Sequence, residues 1–132
     1  MRFPIVSRVR YNVPVSEARP NLHVEESTRP YAGTRVLAVT GELDLATIST
    51  LKDVVGAQFV AGGAPVVLDL SELTFCDSTG LGSFVALHRE AGATGTTFAL
   101  AAPRKRVADL LQISGIDQVV PVFDSVEAAT AG

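Results

Sequence analysis

PVVLDLSELTFCDSTGLGSFVALHREA, residues 65–91, holds two periodicities in succession. Its opening, PVVLDL (65–70), is a short apolar run of the kind buried on both faces in a parallel sheet. From about Thr79 to Ala91 the spacing turns helical, with Leu81, Phe84, Val85 and His88 near one face. A strand that passes almost directly into a helix is the repeating half of an α/β fold. Between the two patterns stand the β-favouring pair Thr74 and Phe75, a lone cysteine, an acid, two hydroxyls and two glycines.

Working outward, the same rhythm continues on both sides. Upstream, LHVEES (22–27) and TRVLAVTG (34–41) predict strands, and LATISTLKDVVGAQF (45–59) predicts a helix on Leu45, Ile48, Leu51, Val55 and Phe59. Downstream, TTFALA (96–101) predicts a strand and RKRVADLLQIS (104–114) a helix on Val107, Leu110 and Leu111, ended by Gly115. QVVPVF (118–123) predicts a last short strand, and the Asp-x-x-Glu pattern of DSVE (124–127) a terminal helix. Only 22–27 and 34–41 are close enough for an antiparallel hairpin. The expectation is a single α/β domain over residues 21–130, with a mixed, mostly parallel sheet and crossover helices mainly on one face.

Composition narrows the function classes. Of 132 residues 47% are apolar and 19% charged, and no apolar run approaches the ~18 residues of a membrane span. The first twenty residues lack the apolar core and cleavage site of a signal peptide. A single cysteine, Cys76, rules out an intramolecular disulfide, reads as a buried structural thiol and fits a reducing cytoplasm. The formal charge of −3 argues against nucleic acid as a direct partner. Charge is uneven, however. Residues 1–20 carry Arg2, Arg8, Arg10 and Arg19 against Glu17, a local +3 that leaves −6 for the remainder. Pro4, Pro14 and Pro20 oppose a regular helix there, and the alternation Val9, Tyr11, Val13, Val15 suits an edge strand. This basic arm is expected to be either loosely ordered or an edge strand.

In a parallel sheet the carboxyl ends of the strands share one rim, where α/β proteins hold their sites. GELD (41–44), CDSTG (76–80) and APRKR (102–106) each follow a predicted strand, which gathers Asp44, Asp77, Ser78, Thr79 and Arg104. Capping explains part of this: Asp44 for a helix from Leu45, and Ser78 for a helix from Thr79. Gly80 and Gly82 are harder to explain, since each costs ~1 kcal/mol relative to alanine within a helix. Such a cost is acceptable where another surface, or a phosphate, must approach the backbone.

Catalysis fits poorly. The hydrolase elbow Gly-x-Ser-x-Gly lacks its first glycine around Ser78, and His88 lies ten residues along the same helix, ~15 Å away by helical rise. Cys76 with His23 and His88 does not give metal spacing, and neither a dinucleotide nor a P-loop fingerprint occurs. The expectation is therefore no enzyme, no catalytic residue, no metal and no cofactor.

VLDLSELTFCDSTGLGSF together with VTGELDLAT resembles the STAS domain of bacterial anti-sigma factor antagonists, with the Asp-Ser-Thr-Gly-Leu-Gly run as the most specific part. The resemblance spans residues 22–128 and does not cover the arm. It implies a partner-switching module of transcription regulation in stress response. The unphosphorylated protein binds an anti-sigma factor, which then frees its sigma factor. That partner is also a serine kinase, and phosphorylation of Ser78, or alternatively Thr79, separates the complex. A metal-dependent serine phosphatase resets it. The partner-binding residues it implies are Asp44, Asp77, Ser78, Thr79, Gly80, Leu81 and Gly82, with a weak homodimer as a further option. The alternative is a STAS regulatory module that binds a nucleotide or another signalling partner without phosphorylation.

Overall fold

Burial along the third strand follows a rhythm of two and then of three, and this sets where the site stands. The computed structural model describes residues 21–61 and 63–131. Strands β1 (Leu22–Glu26), β2 (Arg35–Leu43), β3 (Val66–Cys76), β4 (Phe98–Ala101) and β5 (Val122–Phe123) form one sheet in the order β1-β2-β3-β4-β5. β1 pairs antiparallel with β2 and every other pairing is parallel. Helices α1 (Ile48–Gly56), α2 (Ser78–Ala93) and α3 (Lys105–Ile113) bury Leu51, Val55, Phe84, Leu87, Val107 and Leu111 in the main core on one face. The short α4 (Val126–Thr130) covers the other face, where Val126 joins Val36, Val67 and Ala101. The mixed, mostly parallel sheet with helices mainly on one side is as the periodicities predict. The arm and its edge-strand reading lie outside the described residues.

β3 is longer than its apolar run. Beyond Leu70 its buried residues are Leu73 and Cys76, three apart, so the alternation that marks a strand is lost after residue 70. The partner strand accommodates this with register shifts between Ala38 and Thr40 and between Gly41 and Glu42. Gly41 has a φ of 116°, and a Cβ there would run into the Asn21 carbonyl, so the bulge requires glycine. As a result β2 and β3 run on together to the pair Leu43–Cys76, whereas β4 stops opposite Asp69. The rim is therefore a step rather than a line.

Element ends differ from the sequence reading for identifiable reasons. The first helix starts at Ile48, not Leu45, because the Thr47 and Ile48 amides both donate to the Asp44 carbonyl, at 3.0 Å each, and close a turn first. Thr47 is 1% exposed; its hydroxyl donates to the Glu42 carbonyl at 2.9 Å and accepts from the Asp44 amide at 2.9 Å. Phe59 is buried beyond the helix end, edge-on to Phe98 with ring centroids 5.9 Å apart. On α2, Leu87 rather than Val85 or His88 is fully buried. Gly115, at φ 79°, ends α3 as expected, and Ser125 rather than Asp124 caps α4 by accepting from the Ala128 amide.

Candidate functional site

The extension of β2 and β3 places the turn after Leu43 against the mouth of α2. The Asp77 amide donates to the Leu43 carbonyl at 3.1 Å, and the Thr74 hydroxyl donates to the Gly41 carbonyl at 3.0 Å. Asp44 and Asp77 thus follow directly on the last paired residues of adjacent strands. Arg104 is not brought to this corner. Its guanidinium donates to the Ser71 carbonyl at 2.8 Å and meets Glu72 at 3.4 Å, beside the middle of β3. The step in the rim is the cause, because β4 ends seven residues short of β3.

Asp77, not Ser78, is the N-cap of α2. Its Oδ1 accepts from the Gly80 amide at 2.9 Å and from the Thr79 hydroxyl at 2.6 Å. An acid is the better cap here, since the cap residue is extended and a charged acceptor faces the positive end of the helix dipole. Ser78 then becomes the first helical residue. Both Ser78 and Thr79 are exposed, but their hydroxyls differ: that of Thr79 is held by Asp77, while that of Ser78 makes no hydrogen bond among the described residues. Asp44 does not cap α1 either. Its Oδ1 accepts from the Ala46 amide at 3.0 Å and orders the preceding turn.

The two glycines separate in role. Gly80 is buried, and a Cβ on it would lie 2.8 Å from Leu43 Cγ, 2.9 Å from Cys76 Sγ and 2.9 Å from the Leu43 carbonyl oxygen. It lets α2 close onto the ends of β2 and β3, so the close approach it permits is internal. Leu81 is likewise buried in the core. Gly82 is exposed, with nothing within 4 Å of an added Cβ. Nothing inside the fold calls for glycine there.

Sequence reasoning missed Leu45. Placed on the helix's core face by its spacing, it is instead 72% exposed on the turn, and its amide faces the Asp77 carboxylate. Phe75 is also exposed on the last turn of β3. An apolar side chain this exposed in a short turn after an Asp is a signal that only the bulged register reveals.

Electrostatics sets the protonation of Asp77 and Cys76. The Thr79 hydroxyl, then the Gly80 amide, hold the Asp77 carboxyl below its usual 3.8, against a small opposing effect of burial. Burial, then the Asp77 charge, push the Cys76 thiol up to about 12, so it stays protonated and is no nucleophile. The depressed Asp77 stabilises the fold fully above pH 3.8 and loses that contribution as pH falls through its lower folded value. Denaturant melts of the wild type and Asp77→Asn should therefore differ at neutral pH and converge in acid below 3.8. Among the described residues no group of His, Cys, Asp and Glu is arranged to hold a metal ion, and no helix is long and apolar enough to cross a membrane.

A family model of the STAS domain matches residues 24–129. The anti-sigma-F factor antagonist RsfB of Mycobacterium tuberculosis is 27% identical over 100 residues, covering 76% of this chain and 81% of RsfB. The anti-sigma-B factor antagonist of Listeria monocytogenes is 29% identical over 84 residues, covering 64% of this chain and 74% of that protein. Among solved structures, the anti-sigma factor antagonist SpoIIAA in its unphosphorylated form superposes with a TM-score of 0.62 at 25% identity, over 82% of this chain and 91% of that one. The Bacillus protein in its phosphorylated form has the same fold, with a TM-score of 0.57 over 82% of this chain and 95% of that one.

Proposed function

This chain belongs to the STAS domain family, and from that premise we propose that it is an anti-sigma factor antagonist switched by phosphorylation of Ser78. Unphosphorylated, it binds an anti-sigma factor that is also a serine kinase and so frees a sigma factor; a serine phosphatase restores it. It is a binding module of transcription control and not an enzyme. The observation that carries this reading is the Ser78 hydroxyl itself, which is exposed, free of hydrogen bonds among the described residues and set at the first position of a sixteen-residue helix.

That position suits a phosphate without unfolding. The first-turn amides and the helix dipole favour an anion at the mouth of α2. The alternative acceptor Thr79 is disfavoured because its hydroxyl already donates to Asp77, and phosphorylating it would break the cap. The docking surface around the acceptor consists of Asp44, Asp77, Thr79 and Gly82, with Leu45 as an added apolar contact, while Gly80 and Leu81 support it from beneath. The naming of RsfB, the Listeria protein and SpoIIAA as anti-sigma factor antagonists supports the general role.

Gly82 offers a test with opposite effects in one variant. Gly82→Ala adds a methyl group in open space, so helix propensity alone should stabilise the fold by up to ~1 kcal/mol. If a partner's surface lies against this turn, the same methyl weakens the complex. Thermal melts and calorimetric titration with the cognate anti-sigma factor measure the two effects. A variant that is more stable and binds less well is expected. Wild-type protein that binds no anti-sigma factor would overturn the reading, and Gly82→Ala binding undiminished would remove Gly82 from the interface.

A further inference from the structure

Leu45 is 72% exposed, yet the turn that carries it is bonded throughout. The Asp44 amide donates to the Thr47 hydroxyl at 2.9 Å, the Ala46 amide to Asp44 Oδ1 at 3.0 Å, and the Thr47 and Ile48 amides to the Asp44 carbonyl at 3.0 Å each. The Leu45 amide faces the Asp77 carboxylate. Thr47, 1% exposed, ties the turn to the end of β2, since its hydroxyl also donates to the Glu42 carbonyl at 2.9 Å. An exposed apolar residue by itself needs no explanation. Leu45 differs because its backbone is fixed from both sides while the residue stays largely in water.

Its place in the fold is a second observation. The last pair of β2 and β3 is Leu43–Cys76, and the Asp77 amide donates to the Leu43 carbonyl at 3.1 Å. Leu45 and Ser78 therefore each stand two residues beyond paired, buried strand ends, on neighbouring strands. Phe75, the residue before Cys76, is also exposed. Apolar surface thus collects at the corner of the acceptor, whereas Ile113, 82% exposed, ends α3 at the other side of the helix layer.

We propose that Leu45 is the apolar anchor of the partner complex, filling an apolar pocket on the anti-sigma factor, and that Thr47 is its positioning residue. This rests on the function proposed for Ser78 and divides the work within it: Leu45 supplies affinity, and the state of Ser78 overrides that affinity. A turn already held in place loses little freedom on docking, so most of the gain from burying its leucine is kept. Burial of a leucine side chain corresponds to about tenfold in affinity or more. The anchor takes no part in phosphoryl transfer, so it acts on KM and not on kcat.

Calorimetric titration and phosphorylation kinetics with the cognate anti-sigma factor kinase test this. Leu45→Ala should weaken binding about tenfold and raise KM by a similar factor, with kcat and melting temperature nearly unchanged. Leu45→Asn, close in shape but polar, should weaken binding at least as much. Leu45→Met, apolar and similar in volume, should keep most of the affinity. Thr47 is too buried to touch a partner, so folded Thr47→Val should bind more weakly through the turn alone, and Thr47→Ser should restore binding. Ile113→Ala should bind as wild type. Leu45→Ala and Leu45→Asn binding as tightly as wild type would overturn the anchor while leaving the Ser78 switch in place. So would a loss confined to kcat, and undiminished binding by Thr47→Val would overturn its positioning role. Wild-type chain that bound no anti-sigma factor would overturn the proposed function and the anchor with it.

Discussion

Ser78→Glu is expected to weaken binding to the anti-sigma factor by about tenfold or more, with folding stability nearly unchanged. The carboxylate would sit at the first position of α2, near Asp77 and the Asp44 turn. In the free chain water and the helix amides screen it. A unit-charge pair ~6 Å apart costs only ~0.7 kcal/mol in water but ~2.8 kcal/mol at an effective dielectric of ~20. A docked partner excludes water from the corner and moves each pair toward the second figure, a differential of ~2 kcal/mol. Since ~1.4 kcal/mol is tenfold in affinity, one pair is enough. A phosphate, with about −1.5 to −2 charges and greater bulk, acts more strongly. Ser78→Ala removes the acceptor without adding charge and should hold the partner regardless of kinase activity. Affinity of Ser78→Glu equal to that of wild type in a calorimetric titration would refute the electrostatic mechanism.

Gly80→Ala should destabilise the fold despite the better helix former it introduces. Its Cβ would stand 2.9 Å from the Leu43 carbonyl oxygen, a backbone atom fixed by the Asp77 amide, and 2.9 Å from Cys76 Sγ. Overpacking of this kind costs ~1–3 kcal/mol, against ~1 kcal/mol returned by helix propensity. A larger side chain such as valine has no such offset. A melting temperature lower by several degrees is expected for Gly80→Ala, with larger losses for Gly80→Val. The contrast with Gly82→Ala, two residues along the same helix, separates internal packing from surface approach. If both alanine variants were equally stable, the assigned closure of α2 onto Leu43 and Cys76 would be wrong.

Much of the fold was legible because one pattern repeats. Apolar runs at 65–70 and 96–101 and helical spacing through Leu51, Val55, Val107 and Leu111 reflect side chains that reach a common core. The parts that were not legible share a cause, which is bulging. The change from alternate to every-third burial in β3 left residues 71–76 outside the predicted strand and concealed that β2 and β3 outrun β4. Arg104 therefore belonged to the middle of β3 and not to the corner. The same geometry turned Leu45 outward and moved the start of α1 to Ile48, because Thr47 spends its hydroxyl on the turn.

At the site, residue types were readable while their division of labour was not. Asp77 and Ser78 are both good caps by composition, and only the extended backbone of Asp77 with its bonds to Thr79 and Gly80 assigns the cap and leaves Ser78 free. Gly80 and Gly82 look alike in sequence. One is enclosed by Leu43 and Cys76 and the other faces open space.

In the proposed switch, the state of Ser78 decides whether the partner is held. Quantitative tandem mass spectrometry of the protein from its native cells tests this most directly, with the pool co-purifying with the anti-sigma factor compared with the free pool. Unmodified Ser78 is expected in the bound pool and a single phosphate on Ser78 in the free pool. Phosphorylated Ser78 at equal abundance in both pools, or a phosphate found only on Thr79 or nowhere, would contradict it.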